Sequence, residues 1–390
     1  MDMDNIEELL THGVAEVLPN REGLAKLMQT KKIRVYLGVD PTGTQLHLGH
    51  TIPMRKLQEF VDLGHEAILL FGTGTVLAGD PSQRSETRPK ITQEEINKNI
   101  KSWQTQASKI IDFKKVKIRQ NGDWLLKLTY PEIINISSKI SAIQLFKRDM
   151  FQERIKRGST IWTHETLYPL FQGYDSVVMD VDLEIGGTDQ TFNMLIGREL
   201  QKKINNREKY VLTTPLISGT NGQPMSKSSN NCIWLDDSPQ DIFGKIMSMK
   251  DTQIEEYWLN LTELDPQELK KLGPLNAKKK LAFEIVKQLN GEKAAGQAQK
   301  EFERVFQGRM LPFQIPTVKS SGATISQALI DSGLSGSISE SKRLVRQGAV
   351  SGTVNPNEPF EKISNPKEPF TGDIIVKKGI DIVKIEKQKT

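Results

Sequence analysis

The chain has 390 residues, with 53 Lys and Arg against 48 Asp and Glu, five His, one Cys and 37% hydrophobic residues. This composition belongs to a globular protein and excludes a disordered, collagen-like or disulfide-stapled one; at roughly 100–200 residues per domain it predicts two or three domains. A net charge of +5 is too dilute to name a partner, Cys232 alone cannot build a Cys-rich metal site, and no apolar run approaches the roughly 18 residues of a membrane helix. The acidic start Met1-Asp2-Met3-Asp4 lacks the basic and apolar regions of a secretory leader, so a cytoplasmic, multidomain protein without a membrane partner is expected.

The first elements read as strand, turn, helix, strand. Ile33–Val39 is a β-branched, apolar run closed by the turn-forming Asp40-Pro41-Thr42-Gly43. Thr51–Leu63 carries Leu57, Phe60 and Val61 at helical spacing and stops at Gly64, and Ala67–Phe71 is continuously apolar, as a buried parallel strand is. Together they make a βαβ unit and predict an open parallel sheet. Residues 92–163 read as a mainly helical insertion opened by the capping-box spacing Thr92-x-x-Glu95, and an insertion of this kind offers a dimer surface. A second β/α stretch follows, with a strand expected over Val177–Leu183 and a helix over Gln190–Ile204. The β/α part is thus expected over 1–235 and Lys- and Glu-rich helices over 236–309.

Residues 310–323, with Pro312, Pro316, Ser320 and Ser321, read as a linker. In the final stretch, 324–390, the spacings Thr324-x-x-Gln327 and Ser337-x-x-Glu340 predict helices at about 325–332 and 339–347, with short strands after Gly348. At about 65 residues this is a marginal but adequate independent module. Its second helix carries Lys342, Arg343 and Arg346, and the strands carry Lys377, Lys378 and Lys384; this pattern suits contacts to an RNA backbone or a solvated surface helix.

Two motifs carry chemistry. His47-Leu48-Gly49-His50 lies between a strand and a helix start, where free N–H groups and the helix dipole favour phosphate. Two histidines three residues apart share a face and can donate to phosphoryl oxygens, and Gly49 lets a flat base or ribose approach; a helix-capping or metal-binding His pair is the plainer alternative. The second motif, Pro224-Met225-Ser226-Lys227-Ser228-Ser229, is flanked by Gly219, Gly222, Asn230 and Asn231. It could bring a lysine to a triphosphate or be a solvated Ser/Lys turn.

As a pair in this order on a β/α frame, they resemble the HIGH and KMSKS signatures of class I aminoacyl-tRNA synthetases, with Pro224 in place of the first KMSKS lysine. Tyr168, Gln172 and Asp175 lie at i, i+4 and i+7 of one helix face. With Glu184-Ile-Gly-Gly-Thr-Asp189-Gln190 and Gly79-Asp80-Pro81, this segment is similar to bacterial tyrosyl-tRNA synthetases over nearly the whole chain.

The resemblance implies a Rossmann-like α/β catalytic domain with a helical insertion, a helical domain on the anticodon side, and a small α+β RNA-binding module of the αL type. It places Tyr36 and Asp175 on the substrate phenol, Asp80, Tyr168 and Gln172 on its ammonium group, and Gln190 near the reacting carboxyl. Thr42, His47, His50 and Lys227 take the catalytic roles. On the ATP side stand Gly38, Asp40, Gly49, Gly187, Asp189, Met225, Ser226, Lys227 and Ser228, and Lys342, Arg343 and Arg346 meet RNA. Glu184 stands where these enzymes often have Gln and receives no role. The implied partners are L-tyrosine, ATP with Mg²⁺, tRNA(Tyr) and a second copy in a homodimer, with no tightly bound, protein-ligated metal. A tryptophanyl-type enzyme and a synthetase-derived RNA-binding protein without catalysis remain as alternatives at this level.

Overall fold

The computed structural model describes residues 3–80, 91–225, 231–304, 315–355, 360–379 and 381–388. By its internal contacts the chain divides into one unit of Met1–Asp237 with Met249–Leu281 and another of Ser238–Ser248 with Ala282–Thr390.

The first unit is built on a six-stranded sheet made of β1 (Glu16–Leu18), β2 (Arg34–Val39), β3 (Glu66–Phe71), β4 (Lys117–Gln120), β5 (Leu183–Gly187) and β6 (Tyr210–Thr214), in the order β1-β6-β5-β2-β3-β4. All neighbours pair in parallel except β1 with β6. Val35, Tyr36 and Leu37 of β2 and Ala67–Phe71 of β3 are buried, which is why both strands read as unbroken apolar runs. The chain winds outward from β2 to β4 and returns to the other side of β2 with β5. The crevice at the carboxyl ends of β2 and β5 is therefore the switch point at which such sheets bind ligands.

Three boundaries differ from the expected ones. β4 lies inside the segment expected to be mainly helical and pairs with β3, Ile68 opposite Lys117 and Phe71 opposite Gln120. Its charged Lys117 and Arg119 suit an edge strand, a role that only the sheet can assign. Val177–Met179, expected to begin a strand, is the last turn of the Thr163–Met179 helix, which Asp180 ends in the left-handed region at φ 48°; β5 begins at Leu183. Val177 and Met179 are buried while Val178 is 38% exposed, so helix packing overrides the β-branched composition. The helix expected from Thr51 starts at Leu48 and runs to Asp62, which puts Leu48, Gly49 and His50 in its first turn.

The second unit contains the helices Pro239–Ser248 and Glu292–Phe302, with Phe243 and Phe302 in ring contact at 5.4 Å. Its sheet holds β7 (Thr317–Ser320), β8 (Val350–Thr353), β9 (Glu361–Lys362), β10 (Ile374–Lys378) and β11 (Asp381–Lys387), in the order β7-β11-β10-β8-β9. β7 falls within the stretch expected to be linker; it is a strand because β11 pairs with it in parallel, Ile385 opposite Val318. The helices Ile325–Asp331 and Ile338–Arg346 start at Thr324 and Ser337, whose hydroxyls accept from the N–H groups of Gln327 and Glu340. Ile325, Leu329, Val345, Val350, Phe370, Val376 and Ile385 form the core of this part. The helical stretch expected over 236–309 is shared between the units, because residues 249–281 pack into the first.

Candidate active site

The loop after β2 is held from above by one helix. Along Gln93–Ala107, Asn99 donates to the Pro41 carbonyl (2.8 Å), Ser102 and Gln106 to Thr44 (both 2.7 Å) and Trp103 to Gly43 (2.6 Å), while Gln106 accepts from the Leu46 N–H (2.7 Å). The reciprocal Thr92–Glu95 cap fixes the start of this helix. The carbonyls of Pro41, Gly43 and Thr44 and the Leu46 N–H are thereby satisfied, with Thr42 exposed.

His47 is the extended residue that precedes the Leu48–Asp62 helix, and its backbone N–H donates to Nδ1 of His50 at 3.1 Å. The two rings stand 3.8 Å apart, flanked by Trp234 and Trp103. Burial, with the charge of His50 against His47, lowers the pKa of His47 to about 2; burial lowers that of His50 to about 4. Both rings are neutral near pH 7, and each can then donate one hydrogen bond. Nδ1 of His47 is buried without a partner among the described residues. At Gly49 an added Cβ would come within 3.0 Å of the His47 ring.

The Lys-bearing loop is tied to this helix start. Leu48 donates to the Ile233 carbonyl (3.0 Å) and Leu235 to that of Leu46 (2.8 Å), so the chain just past the loop forms a short ladder beside His47. On the near side Ser218 bridges Pro224, and Asn231 donates to the carbonyls of Gln223 (3.2 Å) and Pro224 (3.0 Å). Pro224, which stands where the resembled motif has its first lysine, thus closes the stem. The stem is braced by Gln253, which donates to the Gly219 carbonyl (2.7 Å), by Tyr257, which donates to that of Ser218 (2.7 Å), and by Glu256, which accepts from Ser218. Met225 is half-buried; Ser226, Lys227 and Ser228 lie outside the described residues.

Beneath the switch point is a buried polar cluster. Tyr36, at the centre of β2, is fully buried, and its hydroxyl lies 3.0 Å from Oγ of Ser176. The Asp175 carboxylate accepts from Nδ2 of Asn121 (2.9 Å) and Nε1 of Trp124 (2.8 Å). Burial pushes the pKa of both Asp175 and Tyr36 well up, and each feels the charge of Glu184. Glu184 is buried against Lys209 and accepts from Gln172 (3.1 Å). Gln172 keeps its carbonyl oxygen buried and without a partner among the described residues, an acceptor facing no donor.

At the rim, Tyr168 donates to Asp40 (3.0 Å), which also accepts from Thr75 (2.8 Å). Gln190 donates to Asp80 (2.9 Å) and Asp189 (3.0 Å) and accepts from Asn193 (2.9 Å). The charges of Asp80, Tyr168 and Asp189 act on buried Arg148 and partly offset the lowering of its pKa by burial. Gly38 is the exposed residue of the otherwise buried β2 centre, and Gly187 ends β5 beside Asp189. Of the expected site residues of the first unit, the described ones on β2, β5 and the Leu48–Asp62 and Thr163–Met179 helices thus lie around the carboxyl ends of β2 and β5. Sequence reading missed Asn121, Trp124, Ser176, Lys209, Arg148, Thr75 and the brace Gln253–Tyr257. Only Ser176, one residue beyond Asp175, had a local cue. Among the described residues no three His, Cys, Asp or Glu side chains group as a metal site.

On the helix of the terminal module Arg343 and Arg346 are exposed and Lys342 half-buried. The strand lysines are engaged: Lys378 donates to the Leu334 carbonyl (2.6 Å), Lys384 pairs with Glu386 (2.8 Å), and Lys377 lies over Phe360 at 5.9 Å.

The family of class I tRNA synthetases of the W and Y type matches residues 28–307. Over 398 aligned positions the chain is 39% identical to a tyrosine–tRNA ligase of Carboxydothermus hydrogenoformans, with 96% of this chain and 97% of that protein covered. It is 41% identical to one of Thermotoga maritima over 354 positions, with 88% of each covered. In fold it is similar to a C-terminally truncated mitochondrial tyrosyl-tRNA synthetase of Aspergillus nidulans (TM-score 0.66, 23% identity, 78% of this chain and 94% of that one). It is likewise similar to a tyrosyl-tRNA synthetase of Archaeoglobus fulgidus complexed with L-tyrosine (TM-score 0.62, 22% identity, 76% and 100%).

Proposed function

Because the chain belongs to the class I tRNA synthetases of the W and Y family, we propose that it activates L-tyrosine with ATP to tyrosyl-adenylate and transfers tyrosine to tRNA(Tyr). The observation that carries tyrosine is the buried Asp175 carboxylate, held by Asn121 and Trp124 beside the Tyr36 hydroxyl. A phenol has one donor and an acceptor oxygen to match an acceptor and a donor; the tryptophan indole has a donor alone. Phenylalanine would leave both groups unpaired, and the handling of phenylalanine by tyrosyl-tRNA synthetase is the known example of such rejection, roughly 10⁵-fold.

In this reading the buried Gln172 oxygen accepts from the substrate ammonium, together with Asp80 and Tyr168. The substrate carboxylate attacks the α-phosphorus in line, a new P–O bond forms, and the bond to the bridging oxygen breaks as pyrophosphate leaves. The carboxylate is already ionised, so no enzyme base is needed, and catalysis is positioning and charge stabilisation. Thr42 and the neutral rings of His47 and His50 would donate to phosphate and ribose, Lys227 would neutralise the leaving pyrophosphate, and Asp189 would hold the ribose. Gly38, Asp40, Gly49, Gly187, Met225, Ser226 and Ser228 would line the nucleotide. ATP enters carrying Mg²⁺, an ion held mainly by phosphates and water.

The helical stretch within 236–309 would meet the anticodon side of the tRNA, and the terminal module would act as an αL-type RNA contact. Replacing Lys342, Arg343 and Arg346 together by Ala should lower kcat/KM for tRNA charging roughly ten-fold and flatten its salt dependence, with adenylate formation unchanged. Charging assays at several salt concentrations measure this, and unaltered charging would remove the helix from the RNA surface. A homodimer is supported by the apolar exposure of the insertion, where Tyr130 (76%), Ile143 (73%), Leu126 (59%) and Trp162 (53%) face outward. A cytoplasmic location is supported by the lone Cys232, which is buried as a free thiol. Tyrosine-dependent exchange of labelled pyrophosphate into ATP tests the function. Exchange with tryptophan instead would reassign the substrate, and RNA binding without any exchange would leave only the non-catalytic reading.

A further inference from the structure

Glu184 and Lys209 have no part in the chemistry above, yet their side chains are 2% and 0% exposed and paired with each other, against Gln172 and Ser176 of the Thr163–Met179 helix. A buried ion pair adds little to stability over well-packed apolar residues. What it can do is fix the direction of the hydrogen bonds around it. The two oxygens of Glu184 are divided between neighbours: Oε2 faces Nζ of Lys209 and, at 3.4 Å, Oγ of Ser176, while Oε1 faces Nε2 of Gln172 at 3.1 Å.

A side-chain amide can meet a neighbour with either end, as donor or as acceptor, and only the neighbour decides which. Here the neighbour is Oε1 of Glu184, which can only accept. It is an acceptor while the carboxylate is ionised, and it stays one if the proton of the pair crosses from Lys209, because that proton then sits on Oε2. Gln172 must therefore turn its NH₂ to Glu184, which leaves its carbonyl oxygen on the other side of the amide. That oxygen is buried and has no partner among the described residues, and a buried acceptor without a donor is a place prepared for one.

We propose that Glu184, held by Lys209, is a positioning residue that locks the Gln172 amide with its oxygen toward the substrate ammonium, and so sets the preference for an amino acid over the same molecule without its amino group. This rests on the assignment of Gln172 to the ammonium. In Glu184→Gln the new carbonyl oxygen turns to the Lys209 ammonium, which can only donate, and the new NH₂ faces Gln172. Gln172 then gives its oxygen to that NH₂ and offers the substrate ammonium a donor where it needs an acceptor.

The test is the preference of the full-length protein for L-tyrosine over 3-(4-hydroxyphenyl)propionate, its analogue without the amino group, taken as the ratio of their Kd values in equilibrium binding. Both ligands carry the phenol, so an effect of Glu184 on Tyr36, which feels its charge, cancels in the ratio. Glu184→Gln should lower the preference roughly 10–100-fold, through weaker binding of tyrosine with the analogue unchanged. The double variant Gln172→Glu with Glu184→Gln keeps the charge of the cluster and returns an acceptor to the ammonium. Its preference should equal or exceed that of the wild type, and it carries the test if Glu184→Gln does not fold. An unchanged preference in Glu184→Gln, an equal loss with both ligands, or a lowered preference in the double variant overturns the proposal. Gln172→Met separates the two levels: a lowered preference there with none in Glu184→Gln removes the positioning role alone, and an unchanged preference there removes the ammonium assignment and the positioning role with it.

Discussion

Replacing Asp175 by Ala should lower kcat/KM for tyrosine activation on the order of 10³-fold while leaving the much slower reaction with phenylalanine nearly untouched. The carboxylate is buried and accepts from both Asn121 and Trp124, so its removal has two costs. The substrate phenol loses a charged acceptor, worth about 1.5–3 kcal/mol, and two buried donors lose their partner at about 1–3 kcal/mol each. Part of the second cost falls on the free enzyme as well as the complex, which holds the net loss of transition-state stabilisation to roughly 4 kcal/mol. Exchange assays with both amino acids measure it. A tyrosine-to-phenylalanine ratio equal to that of the wild type would remove Asp175 from the phenol. The pH profile gives a second reading. The pKa of Asp175 is raised by burial, and protonation removes its acceptor, so tyrosine activation should fall on the acid side at a pH above that of an exposed aspartate.

Lys227→Ala should reduce the rate of adenylate formation roughly 10²–10³-fold with little change in tyrosine affinity. Charge on the leaving pyrophosphate grows only as the bond breaks, so a cation placed there stabilises the transition state more than the bound substrates. Elsewhere in the family pattern a second lysine shares this task. Here that position is Pro224, whose carbonyl accepts from Asn231 in the loop stem, so under the proposed function the loop is expected to lean more on Lys227. Single-turnover formation of the adenylate, set beside equilibrium binding of tyrosine, separates the two quantities. Equal losses in both would assign Lys227 to ground-state binding. On the near side of the loop Gln253, Glu256 and Tyr257 hold Ser218 and Gly219, although they lie more than thirty residues further along the chain.

By itself the sequence determined the local elements and the identity of the chemistry. The βαβ start, the helix that opens at the His47–His50 pair, the Thr92 cap and the two helices of the terminal module are written in short-range signals of apolar period, turn residues and capping hydroxyls, which act over a few residues and survive without the rest of the fold. The motif pair and the Tyr168–Gln172–Asp175 spacing are of the same kind, since a helix fixes which side chains share a face. Tertiary structure alone decided the remainder. β4 and β7 are strands because β3 and β11 offer them an edge, and Val177–Met179 is helix because two of its three side chains are buried by helix packing. The groups that hydrogen-bond within the buried cluster, Asn121, Trp124 and Lys209, come from chain segments far from Asp175 and Tyr36 and carry no pattern of their own. Their roles follow from burial, which obliges each polar atom to find a partner across the sheet, and that obligation exists only once the chain has folded.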